Sequence, residues 1–456
     1  MFNYNIDFND GAVITLEQCD DVIYNIDFIN NDNGEILQSN KLKSFETIKT
    51  DIKYYINWKV VISHNDIILV SHNMNLNNKH ILIKYESKSL GDTISWLPYI
   101  EEFRIKHDCN ISCSIFMDLF KNSYPNINFI KPGDNLNLTY ATYSLGWFNQ
   151  DIQMNPSDYK KIPLQQTSSD ILGLDFKEIV PKIDFDDNYK KPNYKYVCIA
   201  QYSTANTKHW HYPVIDSNNG WQIIVDWLND NGYRVMIISQ QSTDLKNIID
   251  KTGNYPLQQR MSELKYSEFF ISVSSGLSWL SWVMNKKTVL ISGFTDPICE
   301  FKTNCIRIIN NSVCNGCLTN NTFDRGDWNW CPIHKNTKRQ FECSLSITPK
   351  YIIDKIISSE LVDIKSEFKE KVDNVTINDN DIDIKYNDRL EITMNTTIKN
   401  IYINIIDEYG KTLFVKYYDK LIEKNMIWFK FNDFSNLYYI KFYTKNKLIV
   451  EYSCLR

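Results

Sequence analysis

Four short apolar runs between residues 196 and 291, with helical periodicity between them, leave this chain few ways to fold. They are Tyr196–Ala200, Tyr233–Ile238, Phe269–Val273 and Thr288–Ile291. Each is too short for a helix, and each is nearly unbroken in apolar residues, as a strand buried on both faces requires. A helical stretch over Gly220–Leu228 follows the first run, and Asn231-Gly232 turns the chain into the second. Ser274-Ser275-Gly276 after the third run opens another helix. Strands alternating with helices connect as parallel neighbours through crossovers, so a doubly wound sheet is expected.

A second, fainter alternation begins at His80. Ile81-Leu82-Ile83 reads as a strand. Ser89-Leu90-Gly91-Asp92 leads into a helix with Ile94, Leu97, Ile100 and Phe103 on one face, which Pro98 should kink. Ile111–Ser114 reads as the next strand and Met117–Asn122 as a helix. Before and after these α/β stretches the chain alternates short apolar runs with turn residues. The division expected is a β module over 1–78, an α/β half over 79–185, a second over 186–372 and a closing β module over 373–456. The acidic, proline-flanked stretch at Phe185-Asp186-Asp187 reads as the linker between the halves.

Net charge is −5, and the lysines are interspersed with Asp and Glu, so no nucleic-acid surface is expected. No run of about 18 apolar residues occurs, so no membrane span is expected. Met1–Gly11 is polar and acidic, unlike a signal peptide, which points to the cytoplasm. In that compartment the 11 cysteines are thiols or metal ligands rather than disulfides.

Four places carry candidate chemistry. Asp92, at a strand-to-helix junction, suits a general base that takes the proton of an attacking hydroxyl; an Asp there also suits a helix cap. The segment Gln201–Trp210 leaves a buried strand with Ser203 and Thr204 to cradle a phosphate and Lys208 to neutralise a leaving diphosphate, or is a polar loop with a solvated lysine. Ser274, Ser275, Gly276 and Leu277 place small residues and free N–H groups at a helix N-terminus, an anion site or a simple cap. Cys314-Asn315-Gly316-Cys317 is a C-x2-C knuckle, with Cys331 and Cys343 following within the loop-rich segment 312–345. Four thiols so clustered suggest one tetrahedral structural site for zinc or iron, with His334 as a substitute ligand; scattered core thiols are the alternative.

These motifs together resemble a known family. Leu90-Gly91-Asp92-Thr93-Ile94-Ser95-Trp96-Leu97-Pro98 is similar to the Gly-Asp…Pro signature of lipopolysaccharide heptosyltransferases. Thr207-Lys208-His209-Trp210 resembles their Lys-x-Trp segment. Ser274–Leu280 resembles their Asp-Thr-Gly-Leu-Ser-His-Leu motif, with Ser274 in place of the Asp and Trp279 in place of the His. The contacts of those two side chains therefore do not carry over. The departures match the autotransporter heptosyltransferases, a resemblance covering roughly residues 8–345. It includes Phe8-Asn9-Asp10-Gly11-Ala12, Tyr140-Ala141-Thr142-Tyr143, Asp170-Ile171-Leu172-Gly173 and the cysteine finger.

That resemblance implies a GT-B-type fold of two facing Rossmann-like halves, flanked by an N-terminal β-barrel-like module. The final 373–456 has no counterpart and is read as a β-sandwich-like module. It implies transfer of heptose from ADP-heptose to serine hydroxyls of a β-helical acceptor protein, such as an autotransporter, with Asp92 as base and Lys208 on the pyrophosphate. It further implies iron in the finger and a large homo-oligomer. The alternatives are a nucleotide-sugar transferase acting on a glycan, and a non-catalytic carbohydrate-binding protein. The presence of both Asp92 and Lys208 argues for the enzyme.

Overall fold

The computed structural model describes residues 2–362 except 135, 137, 149–150, 214–218 and 325, and beyond these seven strands between 382 and 455. The expected boundary at 372/373 lies outside the described residues. The chain forms two compact units, 1–361 and 362–456.

The second α/β half is built as its apolar runs predict. Its six-stranded sheet runs in the order Ile249–Asp250, Arg234–Ile237, Tyr196–Ala200, Phe270–Val273, Thr288–Ile291, Cys305–Ile308, with all neighbours parallel. Numbered in chain order these strands read 3-2-1-4-5-6, the Rossmann arrangement, whose order reverses between Tyr196–Ala200 and Phe270–Val273. Both central strands are buried at every residue, which explains their unbroken apolar runs.

The first half repeats the plan. His80–Tyr85 lies between Asn110–Ser114 and Ala141–Leu145, with Ile127–Ile130 at the edge, all parallel. The sheet does not stop at residue 79, as the sequence division had it. Asn3–Asn9 pairs in parallel with Ala141–Leu145, placing Phe8 opposite Ala141, and two further antiparallel strands extend the sheet to seven. Asn9 explains the docking. Its Oδ1 accepts hydrogen bonds from the hydroxyls of Thr139 and Thr142 at 2.8 and 2.7 Å, and its Nδ2 donates to Thr139 O at 3.0 Å. Of the strands before residue 79, Glu35–Leu42, Tyr24–Asn30, Trp58–His64 and Ile67–Asn73 form a separate antiparallel four-stranded sheet.

Nor do the halves separate at residue 186, because one apolar core runs from Phe8 and Trp96 through to Trp279 and Leu290. The helix Leu90–His107 packs on the helix Gly276–Val283. Both contacts depend on glycine: a methyl group at Gly91 would lie 3.0 Å from Trp279 Cδ1, and one at Gly276 would lie 2.9 Å from Leu90 Cβ. Glu178 ties the halves at a second point, accepting from the N–H groups of Lys302 and Thr303 at 2.7 and 3.0 Å.

Pro98 lies inside an uninterrupted 18-residue helix. One local expectation fails. Residues 117–122 form bends and turns rather than a helix.

In the second unit the strands form an antiparallel three-stranded and an antiparallel four-stranded sheet. Ile392, Ile403, Ile405 and Ile440 are buried there. Because every candidate site residue precedes 361, a chain ending at Leu361 is expected to fold and bind ADP with wild-type affinity. Calorimetry on that truncation checks this; an insoluble product would make the second unit part of the catalytic body.

Candidate functional site

In an open α/β sheet ligands bind outside the carboxyl ends of the strands where the order reverses. In the first half that place follows His80–Tyr85, and Asp92 lies just beyond it. Ser89, not Asp92, caps the helix: its side chain accepts the Asp92 N–H at 3.5 Å. Asp92 is the third helical residue, only 7 % exposed, and its Oδ2 accepts a hydrogen bond from Ser87 Oγ at 2.5 Å. The cap explanation for this carboxylate is thus taken by another residue.

In the second half the switch point lies between the segment after Ala200 and the turn after Val273. Ser203 is buried, its Oγ accepting from Ala205 N at 3.4 Å, while Thr204 is exposed. Lys208 ends a short 3₁₀ turn, half-buried, with Nζ 5.8 Å from the centre of the Trp328 ring. Finger backbone supports this segment: Thr207 N donates to Trp328 O at 3.0 Å and Asn206 Nδ2 to Asn329 O at 3.0 Å.

Ser275 caps the helix Gly276–Val283, with Ser278 Oγ accepting from Ser275 N at 3.3 Å. Gly276 sits against Leu90, so this helix start and the start bearing Asp92 meet. Leu277 is half-buried on the same first turn. Ser274 turns inward instead. Its hydroxyl donates to the Glu300 carboxylate, which pairs with the Arg307 guanidinium. Arg307 also donates to Ser292 Oγ at 3.1 Å and Phe301 O at 3.2 Å. Trp279 packs edge-on against Trp282 and Phe301 and forms the wall that meets Gly91.

Sequence reasoning missed the Glu300–Arg307 pair, whose residues have no motif. It also missed a set of buried polar atoms. Gln201 Oε1, Thr207 Oγ1, Ser272 Oγ and Thr295 Oγ1 have no partner among the described residues. Gln201 directly follows a central strand, Ser272 lies within the next, and Thr295 comes four residues after Ile291. An unsatisfied buried polar atom costs about 1–3 kcal/mol, so a cluster at the carboxyl edge marks where a polar ligand supplies the partners. For Gln201 and Thr295, the position shortly after a strand end was the available signal.

The finger carries Cys314, Cys317, Cys331 and Cys343, the last three of them buried. Gly316 takes the left-handed conformation at φ 71°, which the knuckle needs and a side chain resists. Cys331 Sγ accepts the His334 N–H at 3.4 Å. Burial pushes the Cys343 thiol up to about 12, with Cys314 and Cys331 adding to it, and Cys317 is raised by burial and then by Cys314, Cys331 and Cys343. Cys314 belongs to the donor group found among the described residues, which does not include Cys317, Cys331 or Cys343. One ligand atom each from Cys314, His334 and Glu342 lie within 4.8 Å of one another. Glu342 is engaged there, accepting from Arg339 at 2.8 and 2.5 Å and from Cys314 N at 3.2 Å. No helix among the described residues is long and apolar enough to cross a membrane.

No protein-family model matches the chain. Known proteins do. It is 36% identical over 364 residues to the autotransporter heptosyltransferase Aah of Escherichia coli, a match spanning 76% of this chain and 90% of Aah. The crystal structure of TibC from enterotoxigenic E. coli, an iron-containing dodecameric glycosyltransferase, superposes with a TM-score of 0.72 at 32% identity, covering 79% of this chain and 95% of TibC. A second TibC structure, in complex with ADP-D-β-D-heptose, gives a TM-score of 0.72 at 31% identity, covering 79% of this chain and 97% of that one. The inactive autotransporter heptosyltransferase BimC of Burkholderia thailandensis is 30% identical over 316 residues, 66% of this chain and 73% of BimC.

Proposed function

The chain belongs to the autotransporter heptosyltransferase family, and from that premise we propose that it moves heptose from ADP-heptose to serine hydroxyls of an acceptor protein. One observation carries the reading: the helix start bearing Asp92 and the helix start at Ser275–Gly276 meet where both sheets reverse their order. An acceptor hydroxyl from one half and a sugar nucleotide from the other would converge there.

In this reading Asp92 takes the proton of the serine hydroxyl as its oxygen bonds to the anomeric carbon. The bond from that carbon to the diphosphate oxygen breaks, and ADP leaves with the electron pair. Lys208 neutralises the departing charge. Ser203, Thr204, the Ser275 hydroxyl and the free N–H groups at Gly276 and Leu277 hold the phosphates. Ser274 acts from behind through Glu300. Cys314, Cys317, Cys331 and Cys343 would hold one metal, and the iron of TibC makes iron the first choice over zinc. Bound there, it would cross-link a segment with little core of its own. The dodecameric relative supports a homo-oligomer. The antiparallel N-terminal strands are read as barrel-like and those beyond 381 as sandwich-like.

BimC favours a second reading, a family member that binds without transferring. Intact-mass analysis separates the two. An autotransporter passenger fragment incubated with the chain and ADP-heptose should gain whole heptose masses. ADP binding without any mass gain would leave the binding reading standing.

Lys208→Ala is expected to weaken ADP affinity and turnover together by roughly tenfold or more, the loss of a charged hydrogen bond of about 1.5–3 kcal/mol. Unchanged affinity for ADP in calorimetry would remove Lys208 from the diphosphate.

A further inference from the structure

Phe148, residues of the segment 151–160 and Asn321 of the finger line a cavity of about 250 Å³. Phe148 and Tyr159 give it an aromatic wall, and Lys160 and Asn155 line it from the same segment. Lys160 is only 7 % exposed and Asn155 only 2 %. The Lys160 Nζ lies 3.4 Å from Asn321 Oδ1, a long contact to a neutral amide. Asn155 Oδ1 accepts from Ser157 N at 3.0 Å, which fixes the amide orientation and leaves Nδ2 as a buried donor with no partner among the described residues. The two carboxylates on the wall already hold their own loop. Asp151 accepts from Gln153 N at 3.0 Å and Asp158 from Lys160 N at 3.0 Å.

We propose that this cavity is a subsite for a carboxylate of the acceptor polypeptide, held by Lys160 and Asn155. The proposal rests on the transferase reading and adds where the acceptor is gripped. A buried ammonium and an unpaired amide donor lining one cavity match an oxyanion, because both present N–H groups and the amide oxygen is already engaged. The loop continues from the carboxyl end of the strand that neighbours His80–Tyr85, on the half that carries Asp92. An acidic side chain near the target serine would enter against the aromatic wall, its carboxylate between Lys160 and Asn155.

The test uses the full chain, ADP-heptose and an autotransporter passenger fragment. Lys160→Met keeps the stem and removes the charge. It should raise the KM for the fragment on the order of thirtyfold, as when one partner of a buried charge pair is lost. Affinity for ADP should stay unchanged. Because Lys160→Met could destabilise the loop, Asn321→Asp gives an independent readout. It supplies an internal carboxylate at the Lys160 ammonium, so the fold should hold while the KM for the fragment again rises. Neutralising acidic residues beside the modified serine should raise the wild-type KM and leave that of Lys160→Met unchanged. Unchanged KM in both variants overturns the subsite while leaving transfer intact. A loss of ADP affinity in Lys160→Met also overturns it, assigning the cavity to the donor. A wild-type chain that transfers nothing overturns the transferase reading itself.

Discussion

Asp92→Asn should lower transfer by about two to four orders of magnitude while ADP affinity and melting temperature stay near wild type. The size is that of a general base removed from the reacting proton. The structure separates this loss from a folding defect. The helix N-terminus is capped by Ser89, so an amide at position 92 costs no cap. Ser87 Oγ can still donate to the amide oxygen, which replaces the carboxylate oxygen it now binds. The shape is conserved, and Gly91 keeps its contact with Trp279. The capacity to accept a proton is lost. The comparison to make is single-turnover transfer against ADP binding on the same preparation. Near wild-type turnover would falsify the role of Asp92. A fall in melting temperature of several degrees would mean that the carboxylate serves the fold.

The sequence carried most of what places this site, for a physical reason. Strands buried on both faces must be apolar throughout, so the sheet of the second half could be read from Tyr196–Ala200 and Phe269–Val273 without any partner. The turns after those strands follow automatically, and Lys208 and Ser274–Leu277 came with them. The first strand was misplaced because Asn3–Asn9 alternates as an exposed-edge strand does, with few residues buried. Its membership of the first sheet depends on Asn9 reaching Thr139 and Thr142, some 130 residues away. No local pattern encodes such a contact. The Glu300–Arg307 pair was hidden for the same reason. A buried ion pair is two charged residues among 105 until packing brings them together behind Ser274. Pro98 does not end the helix, which is gripped on both sides of it, with Ile94, Trp96, Leu97, Ile100 and Phe103 all fully buried.

Removing Cys317, one of the proposed metal ligands, should have an effect as large as removing the proposed base, but of another kind. Cys317→Ser is expected to lose the bound metal, lower the melting temperature sharply and weaken ADP binding. The finger has little else to hold it. Its apolar cluster comprises Phe294, Cys299, Cys317, Leu318 and Phe323, with Cys314 and Trp328 packed alongside. Two of the proposed ligands are therefore part of the cluster they would stabilise. A structural thiolate site contributes about 10–16 kcal/mol in isolated zinc fingers, which is comparable to the whole stability of a domain. Even a fraction of that, lost, would release the finger. The consequence reaches the donor side because Thr207 and Asn206 are hydrogen-bonded to the finger backbone at Trp328 and Asn329, and Lys208 lies over the Trp328 ring. Loosening the finger should free the segment that carries Lys208. His334→Ala distinguishes the two donor groups. With four thiolates as ligands it should retain about one metal per chain by elemental analysis. Loss of the metal in His334→Ala but not in Cys317→Ser would replace the four-cysteine site with one built on Cys314, His334 and Glu342. A Cys317→Ser protein that keeps its melting temperature and its ADP affinity without metal would show that the finger needs none.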